Sequence, residues 1–517
     1  MRLGLTYLDV LLVPKRTPLS SRTEADVRTR FTKNIFLNIP LASSNMATVT
    51  EHKMAIALAR EGGLGVIHQF GAVEEQAAEV KKVKKSTSYI IEDPLCVRPD
   101  ITIGQAVETM IDENVTSLLV TKIRLPGAIP TLKGEALRSS LTTADFRNTN
   151  CGLKPEALDP LIPVKEGEEL VGIFTHRDYL FEEDLSKKIS EVMTPKERLI
   201  TARPGITLDE AKQILKRHRI EKLPLLDNGR ICGLITTQDL KKIGTWPNAA
   251  RDKKGRLLVG AAVGVKDTLE RSRALIEAGA DVIVLDLAHG HSDLVVDKIR
   301  EFKKHFPGVE LMAGNIATKE AARDLILAGV DGLKVGIGPS PVCITRIISG
   351  SGIPQLTAVL DVAEIAKQHN IPVSADGGIR YPGDLSKALA AGASTAYCGN
   401  IFAGTDETPG IIITMDGKRY KRYMGSASYD SNHERKENTD GRKFTQKLDV
   451  FVEGVANLVD YKGPVREVIR GMINGLRSGM SYCGARDIQE MQKNAEFIQV
   501  TPAGWEEGLN RGKKLSE

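Results

Sequence analysis

Eight short apolar runs, rich in β-branched and small residues, recur along the chain, and helical patterns separate most of them. Continuous apolar runs of this kind predict buried strands of a parallel sheet that is covered on its outer face. The runs are IPLASSNM (39–46), GLGVIHQ (63–69), RLLVGAAVG (256–264), DVIVLDLA (281–288), GVELMAGN (308–315), DGLKVGIG (331–338), IPVSADGG (371–378) and STAYCGN (394–400).

The helical patterns between these runs are regular, as in TLERSRALIEAGA, TKEAARDLILAGV and GDLSKALAAGA. Each ends in Ala-Gly-Ala or Ala-Gly-Val, which fits a glycine C-cap before the next strand. Eight strand-and-helix units predict an α/β protein with the (β/α)8 or TIM-barrel fold.

The predicted barrel is interrupted between its second and third strands, where residues 70–255 are too many for a loop. One pattern occurs twice there: a Pro-containing turn, an amphipathic helix, an apolar strand and a final strand ending in Arg-Asp-Tyr or Gln-Asp-Leu. This duplication predicts a paired module inserted in the barrel. The predicted bounds are 1–88 and 246–517 for the barrel, 89–184 for the first copy with a polar loop at about 123–168, and 185–245 for the second copy.

Composition adds little to this picture. The 517 residues suggest roughly two to four domains. The net charge of +5, from 71 Lys and Arg against 66 Asp and Glu, is small and spread out, so we expect no nucleic-acid partner. No signal peptide and no apolar run of about 18 residues is evident, so we expect no membrane segment and a cytoplasmic protein.

The cysteines show no C-x-x-C spacing, which argues against a zinc site or a disulfide framework and favours a reducing compartment. They are Cys96, Cys151, Cys232, Cys343, Cys398 and Cys483.

A barrel of this type carries its reactive groups at the carboxyl ends of its strands. Polar or glycine residues follow nearly every apolar run, and these candidates are Ser44-Asn45-Met46, His68-Gln69, Asp286, His289, Asn315, Gly336 to Cys343, Asp376-Gly377-Gly378 and Gly399-Asn400.

Two of these loops suit a phosphorylated ligand. Asp376 can accept hydrogen bonds from a ribose diol, and the glycines after it let backbone N–H groups approach a phosphate. Gly399-Asn400 follows the eighth strand, where this fold commonly binds phosphate. The alternative is a pair of tight turns between strand and helix.

Two further positions have both a chemical and a structural interpretation. Asp286 could bind the ribose of a second ligand such as a dinucleotide, or it could cap the next helix. Cys343 follows a Gly-x-Gly-Pro-x-Pro loop and precedes Thr345. It is either a small buried side chain or a thiolate that adds to an electrophilic ring carbon.

The chain resembles the inosine-5′-monophosphate (IMP) dehydrogenase family nearly from end to end. The segments that carry the resemblance are LTYLDVLLVP, SSNMATVTE, VGAAVG, AGNIAT, VGIGPSPVCITR, SADGGIRYPGDLSKALAAGAS and GLRSGMSYCGA. The duplicated insertion is similar to a tandem pair of cystathionine-β-synthase (CBS) domains, placed where that family carries it.

The resemblance implies the oxidation of IMP to XMP with NAD, the first committed step of guanine nucleotide synthesis. Cys343 would attack C2 of IMP, and water would hydrolyse the resulting thioimidate with help from Thr345. The resemblance also implies a homotetramer that can stack into octamers.

The resemblance further implies a set of binding residues. IMP would contact Ser44, Met46, Asn315, Asp376, Gly378, Gly399, Asn400, Tyr423 and Glu453. NAD would bind at Asp286 and Gly336, and a potassium ion at the carbonyls of Gly338, Ser340 and Cys343. Purine nucleotides would bind the CBS pair at Thr175, Asp178, Thr236 and Asp239.

Several positions depart from the family pattern. Ser340-Pro341 and Gly399-Asn400 each stand where the family has Gly-Ser, and Ala47 stands where it has Asp. A flap at about 420–465 should carry an Arg-Tyr pair whose arginine activates water, and here the candidate is Arg442, followed by a lysine. Two alternatives therefore stay open: a GMP reductase, which reductively deaminates GMP with NADPH, and a non-catalytic nucleotide sensor.

Overall fold

The computed structural model of the protein describes residues 1–86, 90–91, 94–113, 115–122, 161–162, 169–238, 240, 245–428 and 452–509. The chain divides into two units, Met1–Thr87 with Trp246–Glu517, and Ser88–Thr245. The domain bounds derived from the sequence stay predictions.

The first segment of the chain contributes two strands to the barrel. Its elements are β1 (Val10–Leu12), β2 (Thr29–Arg30), β3 (Phe36–Leu37), β4 (Leu41–Ser43), α1 (His52–Glu61), β5 (Leu64–Ile67) and α2 (Val73–Ser86).

The Ser88–Thr245 unit is built on one sheet with the strand order β11-β12-β9-β7-β6-β8, and β10 pairs with β9. Its elements are β6 (Cys96–Val97), α3 (Ile103–Asp112), β7 (Ser117–Lys122), β8 (Leu161–Ile162), β9 (Glu169–Thr175), α4 (His176–Tyr179), α5 (Ile189–Val192), β10 (Thr194–Pro195), α6 (Leu208–His218), β11 (Lys222–Asp227) and β12 (Arg230–Thr236).

A helix precedes an antiparallel strand pair twice in this unit: α3 before β7 and β9, and α6 before β11 and β12. This order repeats the pattern seen twice in the sequence, although the assignment to the CBS family stays a prediction. The range predicted as a loop, 123–168, contains the short strand β8, which pairs with β6.

The last segment supplies the remaining six barrel strands and the C-terminal helices. Its elements are β13 (Val259–Val263), α7 (Thr268–Glu277), β14 (Val282–Asp286), α8 (Asp293–His305), β15 (Glu310–Ile316), α9 (Lys319–Ala328), β16 (Gly332–Val335), α10 (Thr345–Ile348), α11 (Gln355–Gln368), β17 (Val373–Asp376), α12 (Pro382–Ala390), β18 (Thr395–Cys398), β19 (Ile413–Met415), β20 (Lys418–Met424), β21 (Ala456–Asp460), α13 (Val465–Tyr482), α14 (Ile488–Asn494), β22 (Phe497–Gln499) and α15 (Pro502–Glu507).

Eight parallel strands close into a barrel in the order β13-β14-β15-β16-β17-β18-β4-β5. The ring closes through β5 and β13, where Ile67 lies opposite Ala261, so the inserted unit interrupts the chain but not the sheet. Residues along β13 and β5 are buried throughout, which is why the strands read as unbroken apolar runs. The predicted fold class, an interrupted (β/α)8 barrel, is confirmed.

Local sequence sets the ends of the helices around the barrel. For example, α9 begins after Thr318, whose hydroxyl accepts a hydrogen bond from the Ala321 amide, and it ends at Gly329 in the left-handed conformation (φ +108°). None of the helices among the residues described has both the length and the apolar character that crossing a bilayer requires.

Candidate active site

A cavity of about 1170 Å³ opens at the carboxyl ends of the barrel strands. It exceeds the ~300–1,000 Å³ of an ordinary small-molecule pocket, so it has room for more than one ligand. The sequence candidates that line it are Ser44, Met46, Asp286, Asn315, Gly336, Gly338, Ser340, Cys343, Thr345, Asp376, Gly378, Gly399, Asn400, Tyr423 and Glu453.

Three side chains form a chain of polar contacts in this cavity. The Cys343 Sγ lies 3.1 Å from the Thr345 Oγ1, and the Thr345 hydroxyl donates to the Glu453 Oε2 at 2.7 Å. Because that hydroxyl proton is given to the carboxylate, the oxygen faces the thiol as an acceptor. The arrangement connects a potential nucleophile to a potential base, the geometry of an activated thiol.

Backbone contacts hold the cysteine loop in place. The Ile344 amide donates to the Glu453 carbonyl at 2.8 Å, and the Val455 amide donates to the Val342 carbonyl at 3.0 Å. Two segments far apart in sequence are therefore joined like a short strand pair around Cys343. The thiol and the carboxylate reach the same point because their backbones are hydrogen-bonded to each other.

A second group of residues surrounds the loop after β18. A Cβ atom on Gly399 would lie 2.7 Å from the Tyr423 Oη and 3.0 Å from the Met46 Sδ, so a side chain here would have to displace the Tyr423 hydroxyl. Burial raises the pKa of Tyr423 well above its usual value, more than its hydrogen bond with Ser340 lowers it. The phenol therefore keeps its proton and can donate a hydrogen bond to an anion.

The two predicted ribose-binding aspartates share one buried lysine. The Lys334 Nζ lies 2.7 Å from the Asp286 Oδ1 and 2.6 Å from the Asp376 Oδ2. It also donates to the Asn315 Oδ1 at 2.8 Å. The Asn315 amide in turn donates to the Asp376 Oδ2 at 2.8 Å, and the Asn45 amide donates to the Asp286 Oδ2 at 2.8 Å.

Lys334 carries a positive charge in this setting. Burial lowers the pKa of its ammonium group, but the carboxylates of Asp286 and Asp376 offset that effect and leave the pKa above its ordinary value. The ring of Tyr397 lies 4.7 Å from the ammonium and adds a cation–π contact.

The structure rules out one alternative for Asp286. The helix that follows, α8, is capped by Ser292, whose hydroxyl accepts from the Val295 amide, so Asp286 is not a helix cap. Its carboxylate is instead a wall of the cavity with 16% of its side chain exposed.

The predicted cation ligands are all backbone carbonyl oxygens, the donor type that a monovalent cation takes. Gly336 and Gly338 both have positive φ, and the Ser340 carbonyl accepts the Cys343 amide at 3.1 Å. The Arg346 guanidinium donates to the Ile337 carbonyl at 3.2 Å within the same loop. Ser340 and Cys343 are thus joined in one turn, and Gly338 lies two residues before it. The potassium site itself stays a prediction.

The predicted regulatory residues belong to the Ser88–Thr245 unit. Thr175 and Asp178 form a capping box on α4, in which the Thr175 hydroxyl donates to the Asp178 Oδ2 at 2.8 Å. Thr236 is buried at the end of β12. Asp239, and Arg442 of the predicted flap, lie outside the described residues.

Sequence reasoning missed Lys334 and Tyr397 and gave Asn45 no role, although all three line the cavity. A signal for Lys334 was present, because a lysine inside the apolar run DGLKVGIG must find charged partners when the strand is buried. Tyr397 carried no such signal, since tyrosine is common inside apolar strands. Asn45 was named only as one of the polar residues that follow the first apolar run.

Comparisons with known proteins identify the family of the whole chain. The family described as "IMP dehydrogenase / GMP reductase domain" matches residues 4–510. The inosine-5′-monophosphate dehydrogenase of Nitrosopumilus maritimus is 47% identical over 508 residues, covering 98% of this chain and 97% of the relative. That of Aquifex aeolicus is 45% identical, covering 98% and 94%.

Solved structures of GMP reductase from Trypanosoma brucei are also similar. A cysteine-to-alanine variant in complex with guanosine 5′-monophosphate is 38% identical, with a TM-score of 0.80 and 99% of both chains covered. A complex with guanosine 5′-triphosphate is 36% identical, with a TM-score of 0.70 and coverage of 97% and 98%. The cysteine loop, the cavity and these matches together show that the chain belongs to the IMP dehydrogenase / GMP reductase family.

Proposed function

We propose that this protein oxidises IMP to XMP with NAD through a covalent bond to Cys343. The observation that carries the proposal is the contact chain from Cys343 through Thr345 to Glu453 inside the cavity. The curated relatives at 42–47% identity over nearly the whole chain support the same reaction.

The residues of the chain suit each step. The Cys343 sulfur bonds to C2 of the purine, and its proton passes by way of Thr345 to the Glu453 carboxylate. NAD, when bound, accepts the hydride that leaves C2. Water then adds to C2 and the C2–S bond breaks, which returns the thiol and releases XMP. Arg442 of the flap is the proposed activator of that water, with Thr345 and Glu453 beside it.

The binding roles follow from the same cavity. Asp376 suits the IMP ribose, with Gly378, Gly399, Asn400 and Tyr423 around its phosphate, and Ser44, Met46 and Asn315 along the nucleotide. The Asp286 carboxylate, partly open to the cavity, fits the ribose diol of NAD, as an acidic residue does in other dinucleotide sites. Gly336 is also proposed for NAD on the family resemblance, and in the structure it abuts the Asp376 carbonyl oxygen.

Further parts of the proposal rest on the family. A potassium ion would lie at the carbonyls of Gly338, Ser340 and Cys343, and four chains would assemble into a tetramer that can pair into octamers. Purine nucleotides would bind the Ser88–Thr245 unit near Thr175, Asp178, Thr236 and Asp239 and regulate turnover.

A second candidate is the reductive deamination of GMP to IMP with NADPH. The nearly full-length match to GMP reductase structures favours it, as does the lysine that follows Arg442 where the dehydrogenases have tyrosine. The same thiol, hydroxyl and carboxylate would serve, because that reaction also begins with attack on C2.

A paired steady-state assay separates the candidates. One arm supplies IMP with NAD and follows the reduced nicotinamide, and the other supplies GMP with NADPH and follows its loss. We expect turnover in the first arm. Turnover only in the second arm would make the protein a GMP reductase, and nucleotide binding with no turnover in either arm would make it a sensor.

A further inference from the structure

Lys334 occupies a position between the two proposed nucleotide sites. It lies on β16, with Asp286 at the end of β14 and Asp376 at the end of β17. Its side chain is 4% exposed, while those of the two aspartates are 16% and 19% exposed at the cavity wall. The two aspartates are thus exposed to ligands at the cavity wall, whereas the lysine is buried beneath them.

The ammonium group has no spare hydrogen-bonding capacity. A lysine Nζ has three donors, and here they meet three acceptors, the Asp286 Oδ1, the Asp376 Oδ2 and the Asn315 Oδ1. A shift of Nζ toward one carboxylate must lengthen its contact with the other. Two carboxylates also share this one ammonium group. The strength of each ion pair therefore depends on the position of the other carboxylate.

We propose that Lys334 is a positioning residue that couples the two nucleotide sites, so that a change at Asp286 alters affinity at Asp376 and the reverse. The inference rests on the proposed function, which assigns Asp286 to the NAD ribose and Asp376 to the IMP ribose. Lys334 contacts both aspartates directly, at 2.7 Å and 2.6 Å.

The protein contains a matched arrangement away from the cavity. Lys84 is also 4% exposed, and its Nζ lies 2.6 Å from Asp281 and 3.1 Å from Asp252. Asp281 directly precedes β14, whereas Asp286 ends it, so the two lysine pairs lie at opposite ends of one strand. Lys84→Met therefore removes the same kind of buried charge without touching the ligand cavity.

The test is a double-mutant cycle read by calorimetry on the full chain. IMP affinity is measured for the wild type, Asp286→Asn, Lys334→Met and the double variant. In Asp286→Asn the ammonium moves toward Asp376 and holds that carboxylate away from the ribose, so IMP affinity should fall about tenfold. In the Lys334→Met background the same substitution should change IMP affinity by less than about twofold.

The second arm reads the opposite direction. Asp376→Asn should weaken NAD binding in the wild-type background, and the same substitution should change NAD affinity by less than about twofold in the Lys334→Met background. Lys84→Met should lower the thermal midpoint and leave both affinities within about twofold of wild type.

The coupling is overturned if Asp286→Asn leaves IMP affinity unchanged, or weakens it equally with and without Lys334. If Lys334→Met does not fold, Asp286→Asn and Asp376→Asn still test the coupling. Asp286→Asn must then weaken IMP binding, and Asp376→Asn must weaken NAD binding. Wild-type protein that binds neither IMP nor NAD overturns both proposals. Wild-type protein that binds both but forms no XMP overturns the proposed reaction alone.

Discussion

At the residue scale, the Thr345 hydroxyl links the Cys343 thiol to the Glu453 carboxylate. It donates to Glu453 and is therefore oriented to accept from Cys343, 3.1 Å away. A hydroxyl in this position can pass a proton on without itself becoming charged. We propose Glu453 as the final acceptor, a role that the sequence did not predict, since the family resemblance placed Glu453 among the residues that contact IMP.

Glu453→Gln tests this role. Glutamine keeps the size and the hydrogen-bonding reach of glutamate but cannot take up a proton, so we expect kcat to fall by about 10²-fold or more. The matched control is Glu277→Gln on the exposed face of α7, which should leave kcat unchanged. A Glu453→Gln enzyme with wild-type kcat in the paired assay would show that the proton leaves by another route.

Single residues were predictable where a reactive side chain follows a predicted strand. Cys343, Asp376 and Asp286 were found because each follows an apolar run, and strand ends of a barrel meet in one place. Lys334 was missed because its partners come from two other strands, and only the closed barrel brings them within 2.7 Å.

At the element scale, the ends of β16 and β17 lie close together because position 336 is a glycine. A Cβ on Gly336 would lie 2.1 Å from the Asp376 carbonyl oxygen, and Gly336 has φ of +148°. The strand carrying Lys334 and the strand carrying Asp376 can therefore end side by side only if this position has no side chain.

Gly336→Ala should separate these two strand ends. We expect a loss of about 1–3 kcal/mol in the free energy of unfolding, together with weaker IMP binding, because the Asp376 backbone must move. Chemical denaturation and calorimetry measure the two effects.

Gly471→Ala is the control for Gly336→Ala. Gly471 lies within α13, and a Cβ added there would meet no atom within 4 Å outside its own helix backbone, so alanine should be neutral or stabilise by up to ~1 kcal/mol. Equal effects from the two substitutions would contradict the proposed close fit at Gly336.

At the scale of the whole molecule, the barrel closes without help from the inserted unit. Strands β5 and β13, which flank the insertion in sequence, pair directly in parallel. Replacing Ser88–Thr245 with a flexible Gly/Ser linker should therefore leave a folded barrel with basal turnover. The same variant should lose any response to purine nucleotides.

Steady-state kinetics and thermal unfolding of this variant check that expectation against the full-length protein. Loss of basal turnover in a folded variant would mean that the inserted unit contributes to the active site. Retained regulation by nucleotides would mean that the regulatory site lies in the barrel unit.

The overall architecture was predictable because it depends on a repeated pattern. Eight apolar runs and a duplicated insertion are visible in the sequence, and the barrel order follows from the fold. The short strand β8 was not predicted, because two paired residues inside a polar segment leave no periodic trace. The role of Arg442 stays a prediction because this residue lies outside the described part of the chain.

The most direct test of the central claim is an acid-quenched single turnover with IMP and NAD, followed by mass spectrometry of the peptide that carries Cys343. We expect a purine nucleotide adduct on Cys343 that appears with the reduced nicotinamide and decays as XMP forms, and no adduct and no reduced nicotinamide from Cys343→Ala. Cys483→Ala, which removes a buried thiol away from the cavity, should behave as wild type. Reduced nicotinamide formed by Cys343→Ala, or an adduct on another residue, would contradict the account.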